Sequence, residues 1–409
     1  MKKIIIVLLA VNFLILSAMT FNEVCSAGDG SMPRAIAACD DITAVFYISN
    51  GANPLLVSTD GTLWSKIDET TSFPFYNLWT AGNELYYSDL EFSNVIRYSN
   101  EQALISVCPA PGMGNPNNWG ASHGCEYGGY LYVSWYNPMT GCEIWRTTSP
   151  AESTSSWTRI VSNGFGNASQ NEAYLYSFNG ELYAFAYPDK VFKSSDGVNF
   201  VPVADVPDRI PQYGNYACAA LGSHLYYLSR DKNVYRTTDG SSWTKVFDHT
   251  LVPDPPYNQI IDVFSIVELN SRLYVSLTVW HSGSTFRSTL INSTNGVDWE
   301  IMRHPSLDRS RAKMGDEIYA GVMNGKLYVA VPPEYNNGLV ILEGTPDGTP
   351  NGPFFLGGTP GLTSINWYWY DNAFDEFGFH VVTGNLGTNI MGGVAANTTN
   401  WNEMSLDVN

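Results

Sequence analysis

A strand-rich phrase returns eight times along the chain, at steps of 40 to 54 residues. Its cores are Val45-Phe46-Tyr47, Leu85-Tyr86, Leu131-Tyr132, Leu182-Tyr183, Leu225-Tyr226, Leu273-Tyr274, Leu327-Tyr328 and Gly378-Phe379. A period of that length made of strands is typical of a β-propeller, because one small sheet cannot bury its faces alone whereas a ring of sheets can. We therefore predict an all-β protein, a single β-propeller of four-stranded antiparallel blades. Eight repeats favour eight blades; a seven-bladed ring with one repeat displaced is the alternative, because the first repeat is short.

The fourth repeat shows the expected blade most clearly. Its four strands are predicted over residues 172–178, 181–186, 190–194 and 200–204, with Asn179-Gly180 as the first hairpin turn. Asn-Gly is a preferred two-residue hairpin turn because both positions adopt positive φ. The loops from fourth to first strands and from second to third strands then emerge on one side, which we term the loop face. The opposite side, which carries the third-to-fourth hairpins, is the hairpin face.

The N-terminus has the features of a secretory signal peptide. Lys2 and Lys3 precede an apolar run over residues 4–19, which is short for a membrane span. Small residues suggest cleavage after Ala27, so we predict a signal peptide over 1–27 and one propeller domain over 28–409. An uncleaved anchor is the alternative. After cleavage we expect no membrane span, and a secreted protein in an extracellular or periplasmic location.

The formal net charge of −18 argues against nucleic acid as a partner, because an acidic surface repels phosphate. No pair of histidines has the spacing of metal ligands, and no Cys-x-x-Cys occurs. We therefore expect neither a metal site nor a cofactor. Cys108 should end the fourth strand of blade 2, and Cys142 should begin the third strand of blade 3. Both would lie at the loop face of neighbouring blades, so we predict a Cys108–Cys142 disulfide.

A hairpin motif recurs four times with identical spacing, and it carries an acid or amide followed by glycine and later an aromatic residue. The copies are Ser58–Trp64, Ser194–Phe200, Thr237–Trp243 and Ser293–Trp299, with Asp60, Asp196, Asp239 and Asn295 at the central position. A side-chain oxygen there can accept backbone N–H bonds within the turn, and glycine supplies positive φ. We interpret these four residues as structural.

The motif resembles the Asp-box, or bacterial neuraminidase repeat, and the chain is similar to secreted propellers of the sialidase-like group. The usual box is Ser-x-Asp-x-Gly-x-Thr-Trp, and the copies here lack the residue between Asp and Gly. The resemblance implies that the boxes are structural and lie away from the ligand face. The arginine triad and the Tyr–Glu pair of a working sialidase are not recognisable. We predict a non-catalytic binding or scaffold propeller, with a glycan or an extracellular protein as partner; the alternative is a glycan-active hydrolase or lyase of the sialidase-like group.

Aromatic and basic residues concentrate in the segments expected at the loop face, where propellers present convergent loops. The candidate ligand-binding residues are Trp119, Trp135, Tyr136, Arg209, Tyr213, Tyr257, Trp280, His281, Arg303, Tyr335 and Trp367. The alternative is that the rings fill the channel or pack between blades. Two Gly-x-Gly-Asn phrases, at residues 112–115 and 164–167, are interpreted as tight turns into the inner strands; presenting asparagine side chains to a ligand is their alternative role.

Overall fold

The structure is a computed structural model. It describes residues 19–27, 31–48, 54–67, 75–89, 93–98, 104–208, 218–250, 259–282, 285–302, 307, 310–311, 317–332, 338–346 and, as backbone strands, 354–360, 364–370, 378–383, 389–395 and 400–404. Strands dominate, and the helical structure in this part is a 3-10 turn at Pro111–Gly114 and one α-turn at Asn163–Gly166. Among these residues no helix is long and apolar enough to cross a membrane.

Seven sheets form the blades; each has four strands in order, and the sheet of blade 6 has a fifth, short strand. Blade 1 comprises β2 (Met32–Cys39), β3 (Ile42–Ile48), β4 (Leu55–Ser58) and β5 (Ser65–Ile67); blade 2 comprises β6 (Phe75–Ala81), β7 (Glu84–Asp89), β8 (Asn94–Tyr98) and β9 (Leu104–Ser106). Blade 3 comprises β10 (Gly120–Tyr127), β11 (Tyr130–Tyr136), β12 (Glu143–Thr148) and β13 (Thr158–Val161); blade 4 comprises β14 (Ala173–Phe178), β15 (Glu181–Ala186), β16 (Lys190–Ser194) and β17 (Val201–Asp205). The fourth repeat thus has its strands within a residue of the predicted bounds.

The remaining blades follow the same order with one exception. Blade 5 comprises β18 (Cys218–Leu221), β19 (His224–Leu228), β20 (Val234–Thr237) and β21 (Thr244–Phe247). Blade 6 comprises β22 (Gln259–Leu269), β23 (Arg272–Ser282), β24 (Thr285–Ser293) and β25 (Glu300–Met302), with β26 (Ser310–Arg311) pairing β24. Blade 7 has β27 (Tyr319–Met323), β28 (Lys326–Val331) and β29 (Val340–Pro346), and its fourth strand is β1 (Met19–Ser26) from the N-terminus.

The prediction of eight blades is wrong, and the ring has seven. The seventh repeat supplies three strands, and β1 completes that blade in the order β1-β29-β28-β27. Within its described residues, the eighth repeat does not form a four-stranded blade. Its described strands are β30 (Phe354–Pro360), β31 (Ser364–Tyr370) and β34 (Asn400–Met404) in one sheet, and β32 (Gly378–Thr383) with β33 (Asn389–Ala395) as a hairpin. The prediction of an all-β propeller with four-stranded antiparallel blades is confirmed.

The chain divides into two compact units. The larger unit, residues 23–301 and 309–343, holds blades 1 to 6 and most of blade 7. The smaller unit comprises residues 1–22, 302–308 and 344–409, and its described part contains the three-stranded sheet and the hairpin of the eighth repeat.

The Leu-Tyr phrase and the Asp-box-like hairpin meet between neighbouring blades. Each tyrosine, in the second strand of one blade, lies against the glycine of the next blade's hairpin so closely that a Cβ would clash: Tyr132 with Gly197, Tyr183 with Gly240, Tyr226 with Gly296, and Tyr328 of blade 7 with Gly61 of blade 1. In blade 3, which lacks a box, the Ala151 N–H donates instead to the Tyr86 hydroxyl at 3.2 Å. The two repeated motifs are therefore halves of one contact between blades.

Serines in second strands form another repeated contact between blades. Their hydroxyls donate to a carbonyl at or just before the inner strand of the next blade: Ser88 to Ala121, Ser134 to Ala173, and Ser276 to Ile318. All three serines are fully buried. Because a buried hydroxyl without a partner is unfavourable, these bonds favour one register between neighbouring blades.

Candidate functional site

The central channel is lined by a residue or more from each of the seven blades and encloses about 540 Å³. Its walls are mostly small or apolar, and they include Ala38, Thr80, Ala81, His123, Gly124, Cys125, Glu126, Tyr174, Tyr176, Cys218, Ala219, Glu268, Ala320 and Gly321. Such a volume suits a small ligand or a short inserted segment.

The titratable groups midway along the channel are held in their uncharged forms. Burial lowers the pKa of His123 to about 4, despite the opposing effect of its hydrogen bond to the Leu175 backbone. Burial also raises the pKa of the Cys125 thiol to about 12, and raises those of Cys218 and Tyr176 well above their ordinary values. Because the thiolate is the reactive form of cysteine, these thiols are poor nucleophiles at neutral pH. This stretch of the channel is therefore suited to contacting a bound ligand and not to acid–base catalysis.

The carboxylates of the channel lie toward the hairpin face, at the last turns of the inner strands. Ser149 Oγ donates to Glu126 Oε2 at 2.8 Å, and the Ser271 N–H donates to Glu268 Oε1 at 2.6 Å. Each carboxylate is thus engaged by a neighbouring turn. Within the described residues, no group of three or more His, Cys, Asp or Glu side chains is arranged to hold a metal ion.

On the loop face of blade 3, a buried carboxylate organises the loops. Glu143, 2 % exposed, accepts four hydrogen bonds. Asn115 Nδ2 and Arg159 Nη1 donate to Oε1, each at 3.0 Å, while Asn118 Nδ2 and Trp145 Nε1 donate to Oε2 at 2.9 and 2.8 Å. A carboxylate has about four lone-pair sites, so Glu143 is fully satisfied. This network ties the loop before β10 to the third and fourth strands of the blade.

The two Gly-x-Gly-Asn phrases form the same turn. Gly112 and Met113 have φ of 58° and 59°, and Gly164 and Phe165 have φ of 57° and 58°. A Cβ on Gly112 would lie 2.9 Å from the Asn118 carbonyl oxygen, and one on Gly164 would lie 2.6 Å from that of Gln170. The interpretation as tight turns therefore fits the observed backbone. In the first turn the asparagine side chain bonds inward to Glu143, and in the second Asn167 Oδ1 accepts the Ser169 N–H at 3.1 Å.

Two apolar side chains are exposed on the loops of blade 3. Trp119 is 50 % exposed and Met139 is 65 % exposed, and they lie in the two loops of blade 3 that form the loop face. The Trp119 N–H donates to the Tyr136 carbonyl at 3.0 Å, and the two rings meet edge to face with centroids 5.9 Å apart. Asn137 Oδ1 accepts the N–H groups of Met139 and Thr140 at 3.1 and 2.9 Å. Trp119 and Met139 are thus presented on loops whose backbone is fixed by hydrogen bonds.

Other predicted ligand residues are placed differently. Trp135 and Tyr136 end strand β11 instead of forming a loop; Trp135 is fully buried and Tyr136 is 9 % exposed. Trp135 follows Leu131 and Val133 at alternate positions, and all three pack in the cluster that contains Trp79. The alternative of packing between blades is what the structure shows for Trp135.

Blade 6 has longer first, second and third strands than the other blades. Trp280, half-buried, lies within β23 and pairs with Gln259 and Phe286. His281 lies in β23 and Trp367 in β31, with side chains outside the described part. Arg209, Tyr213, Tyr257, Arg303 and Tyr335 lie outside the described residues, as do residues 1–18 of the predicted signal peptide.

The central side chains of the four hairpins lie inside their own turns. Asp60 Oδ1 accepts the N–H groups of Thr62 and Leu63 at 2.8 and 2.7 Å, and these backbone bonds lower the pKa of Asp60 to about 2. Asp196, Asp239 and Asn295 accept the N–H groups of the second and third residues after them in the same way. Hydrogen bonds from Ser241 and Ser242 lower the pKa of Asp239 to about 2.

The predicted Cys108–Cys142 disulfide is not formed in the structure. Cys142 is a fully buried thiol, packed with Ile144, Val161 and Ala173 between blades 3 and 4. Cys108 packs against the cluster between blades 2 and 3. The two side chains therefore face opposite sides of blade 3, which the linear argument about strand ends did not reveal.

Residues that the sequence analysis missed form the best-defined parts of the site. No sequence motif identified Glu143. The related signal in the sequence was the repeated Gly-x-Gly-Asn phrase, because Asn115 of its first copy donates to Glu143. The channel residues His123, Cys125, Tyr176 and Cys218 lie on inner strands of blades 3 to 5. Their convergence depends on the ring, so no linear spacing connects them.

Comparison with protein-family models found no match, and comparison with curated protein sequences found none. Comparison with solved structures found similar propellers. YCF48 from Cyanidioschyzon merolae is 13 % identical, with 80 % of this chain and 99 % of that chain covered and a TM-score of 0.50. YCF48 bound to D1 peptide is 12 % identical, with 85 % and 100 % covered and a TM-score of 0.51.

BamB from Moraxella catarrhalis is matched at 10 % identity over 82 % of this chain and 97 % of that chain, with a TM-score of 0.40. At such identities the likeness is one of fold alone. The class of protein defined by the fold is the β-propeller, here with seven blades. These structures give no evidence for the resemblance to the sialidase-like group, which rests on the four hairpins.

Proposed function

We propose that the protein is a secreted, non-catalytic binding propeller that takes an extended segment of another protein on the loop face of blade 3. The observation that carries the proposal is that Trp119 and Met139 are exposed on the two loops of blade 3, one of which is tied to Glu143 through Asn115 and Asn118. An exposed tryptophan on a fixed backbone is well suited to anchor a partner, because it buries a large area with little loss of conformational freedom.

The polar groups around Trp119 favour a peptide over a glycan. A sugar site places amides and charges beside an aromatic ring to bind hydroxyls. Here Asn115 and Asn118 donate to Glu143, and Asn137 Nδ2 donates to Asn118 Oδ1 at 3.0 Å. These amides are engaged within the protein, and the large apolar groups exposed on these loops are an aromatic ring and a thioether. One of the similar propellers has been solved with a peptide bound, which is consistent with the proposal.

The charge of the chain favours a basic partner. At a formal net charge of −18, the protein attracts positively charged segments and speeds their association at low salt. The thiols and the imidazole midway along the channel are in their neutral forms, which favours binding over turnover. We therefore expect an extended basic segment that carries at least one apolar side chain.

The test is selection of a random-peptide phage library on the purified protein, with a glycan array in parallel. Peptides recovered by selection should lose about 30-fold or more in affinity for Trp119→Ala, which corresponds to the roughly 2 kcal/mol of a binding anchor. Leu63→Ala is the matched control, because Leu63 is 76 % exposed on the hairpin face. Glycan binding that is lost in Trp119→Ala would show that the ligand of this site is a sugar and not a peptide. Release of reducing sugar would establish the hydrolase alternative.

A further inference from the structure

The closing strand of the ring comes from the segment that a secretory leader would occupy. In blades 1 to 6 the fourth strand follows the third directly along the chain, whereas blade 7 takes β1 (Met19–Ser26) as its outermost strand, next to β29. The cleavage site predicted after Ala27 would therefore remove the whole of β1. Cleavage after Ala27 would remove residues 19–27, whereas a complete seventh blade requires that they be retained.

Side chains of β1 are packed as those of a core strand are. Met19 is 1 % exposed and Phe21 is 7 % exposed, while Asn22 and Glu23 are exposed. A Cβ on Gly344 of β29 would lie 2.6 Å from Met19 Sδ and 2.7 Å from the Phe21 ring, so glycine makes room for both.

The second half of β1 is anchored in the larger unit. The Ala27 N–H donates to the Leu339 carbonyl at 2.8 Å. Val24, Cys25 and Ala27 pack against the cluster that contains Tyr328 and Ile341. Removing the strand would expose these apolar groups and the hydrogen-bonding edge of β29, and an exposed edge is a template for aggregation.

We infer that residues 19–27 are retained in the mature protein as the closing strand of the ring, and that the leader peptidase cuts no later than the Ala18–Met19 bond. Ala18 supplies a small residue at the −1 position of that bond, with Leu16 at −3. The inference about cleavage rests on the proposed secretion, whereas the need for β1 in the folded ring does not.

The first experiment expresses the full chain in a secreting host and determines the N-terminus of the exported, folded protein by intact mass and terminal sequencing. We expect a first residue at Met19 or before it. A first residue anywhere from Thr20 to Gly28 would overturn the inference. The two mature forms that the alternative cuts produce, beginning at Met19 and at Gly28, are then prepared directly.

The form beginning at Met19 should melt with the midpoint of the exported protein, and the form beginning at Gly28 should aggregate or melt earlier. Adding a synthetic peptide of residues 19–27 should restore the midpoint, which separates loss of the strand from general misfolding. Phe21→Ser should lower the midpoint of the longer form, and its exposed neighbour Asn22→Ser should not. Equal stability of the two forms would overturn the role of β1 even if the protein were not secreted, and would leave the peptide-binding proposal intact.

Discussion

The substitution Trp135→Ala separates a buried strand residue from a ligand-binding one. Trp135 is fully buried and packs in the cluster of Trp79, Leu131 and Val133 between blades 2 and 3. A tryptophan side chain buries about 150–250 Å², worth roughly 4–6 kcal/mol at about 25 cal/mol/Å². Substitutions of buried aromatic residues by alanine typically destabilise by about 3–5 kcal/mol. Its Nε1 has no hydrogen-bond partner among the described residues, so no lost hydrogen bond adds to this figure.

The assay is chemical denaturation followed by tryptophan fluorescence and by far-ultraviolet circular dichroism. We expect Trp135→Ala to lower the free energy of unfolding by about 3–5 kcal/mol. Trp119→Ala is the matched control with the same chemical change in the same blade, and by the same area argument its half-exposed ring should contribute about half as much, roughly 2–3 kcal/mol. Trp135→Ala should therefore have the larger effect on stability, and Trp119→Ala the larger effect on binding.

The reasoning would be refuted if Trp135→Ala left the unfolding midpoint unchanged and abolished peptide binding. That result would mean that the Trp135 ring faces the ligand, as the sequence analysis supposed. Loss of both stability and binding would be consistent with burial, since the loop face of blade 3 depends on the same strand.

Two further predictions concern the hairpins, and one concerns the channel. Gly61→Ala, which clashes with the tyrosine beneath it, should destabilise more than Gly180→Ala, where the same positive φ meets open space; equal effects by thermal melting would argue against the blade contact. Asp239→Asn should keep its turn, as Asn295 does naturally, but lose a pH dependence. Because the folded pKa of Asp239, about 2, lies below the unfolded value near ~3.9, its stabilisation is present above pH ~4 and is lost as pH falls toward 2. The melting midpoints of the wild type and Asp239→Asn should therefore converge as the pH is lowered from ~4 toward 2. The folded pKa of His123, about 4, lies below the unfolded value of about 6.5. The stability of the wild type should therefore decrease as pH is lowered from about 6.5 to about 4, whereas that of His123→Gln should not. Parallel stability profiles of the two proteins would show that His123 is solvated.

The sequence contained the strand pattern of the blades but not their number. The repeated phrase and Asn179-Gly180 were enough to place the four strands of blade 4 within a residue, because hairpin strands and turns are specified by neighbours in sequence. In sequence, the eighth repeat resembles the seven that contribute to blades. The number of blades was decided by β1, which completes blade 7 by pairing with β29 from more than 300 residues away.

The same division applies to the candidate site. The central residues of the hairpins were recognised as turn residues because their hydrogen bonds run to the second and third residues after them. Trp135 was misplaced because its burial depends on Trp79 of the preceding blade. The Glu143 network joins three separate segments of blade 3, and no spacing in the chain announces it.

By itself, then, the sequence determined the repeating strand architecture, the turn chemistry of the hairpins and the acidic surface, since each depends on local conformation or on composition. Tertiary structure decided the closure of the ring by β1, the burial that keeps His123 neutral and the exposure of Trp119. These features depend on which blades become neighbours and which faces they bury. Burial between blades is a property of the closed ring, and it is set by contacts that are distant in sequence.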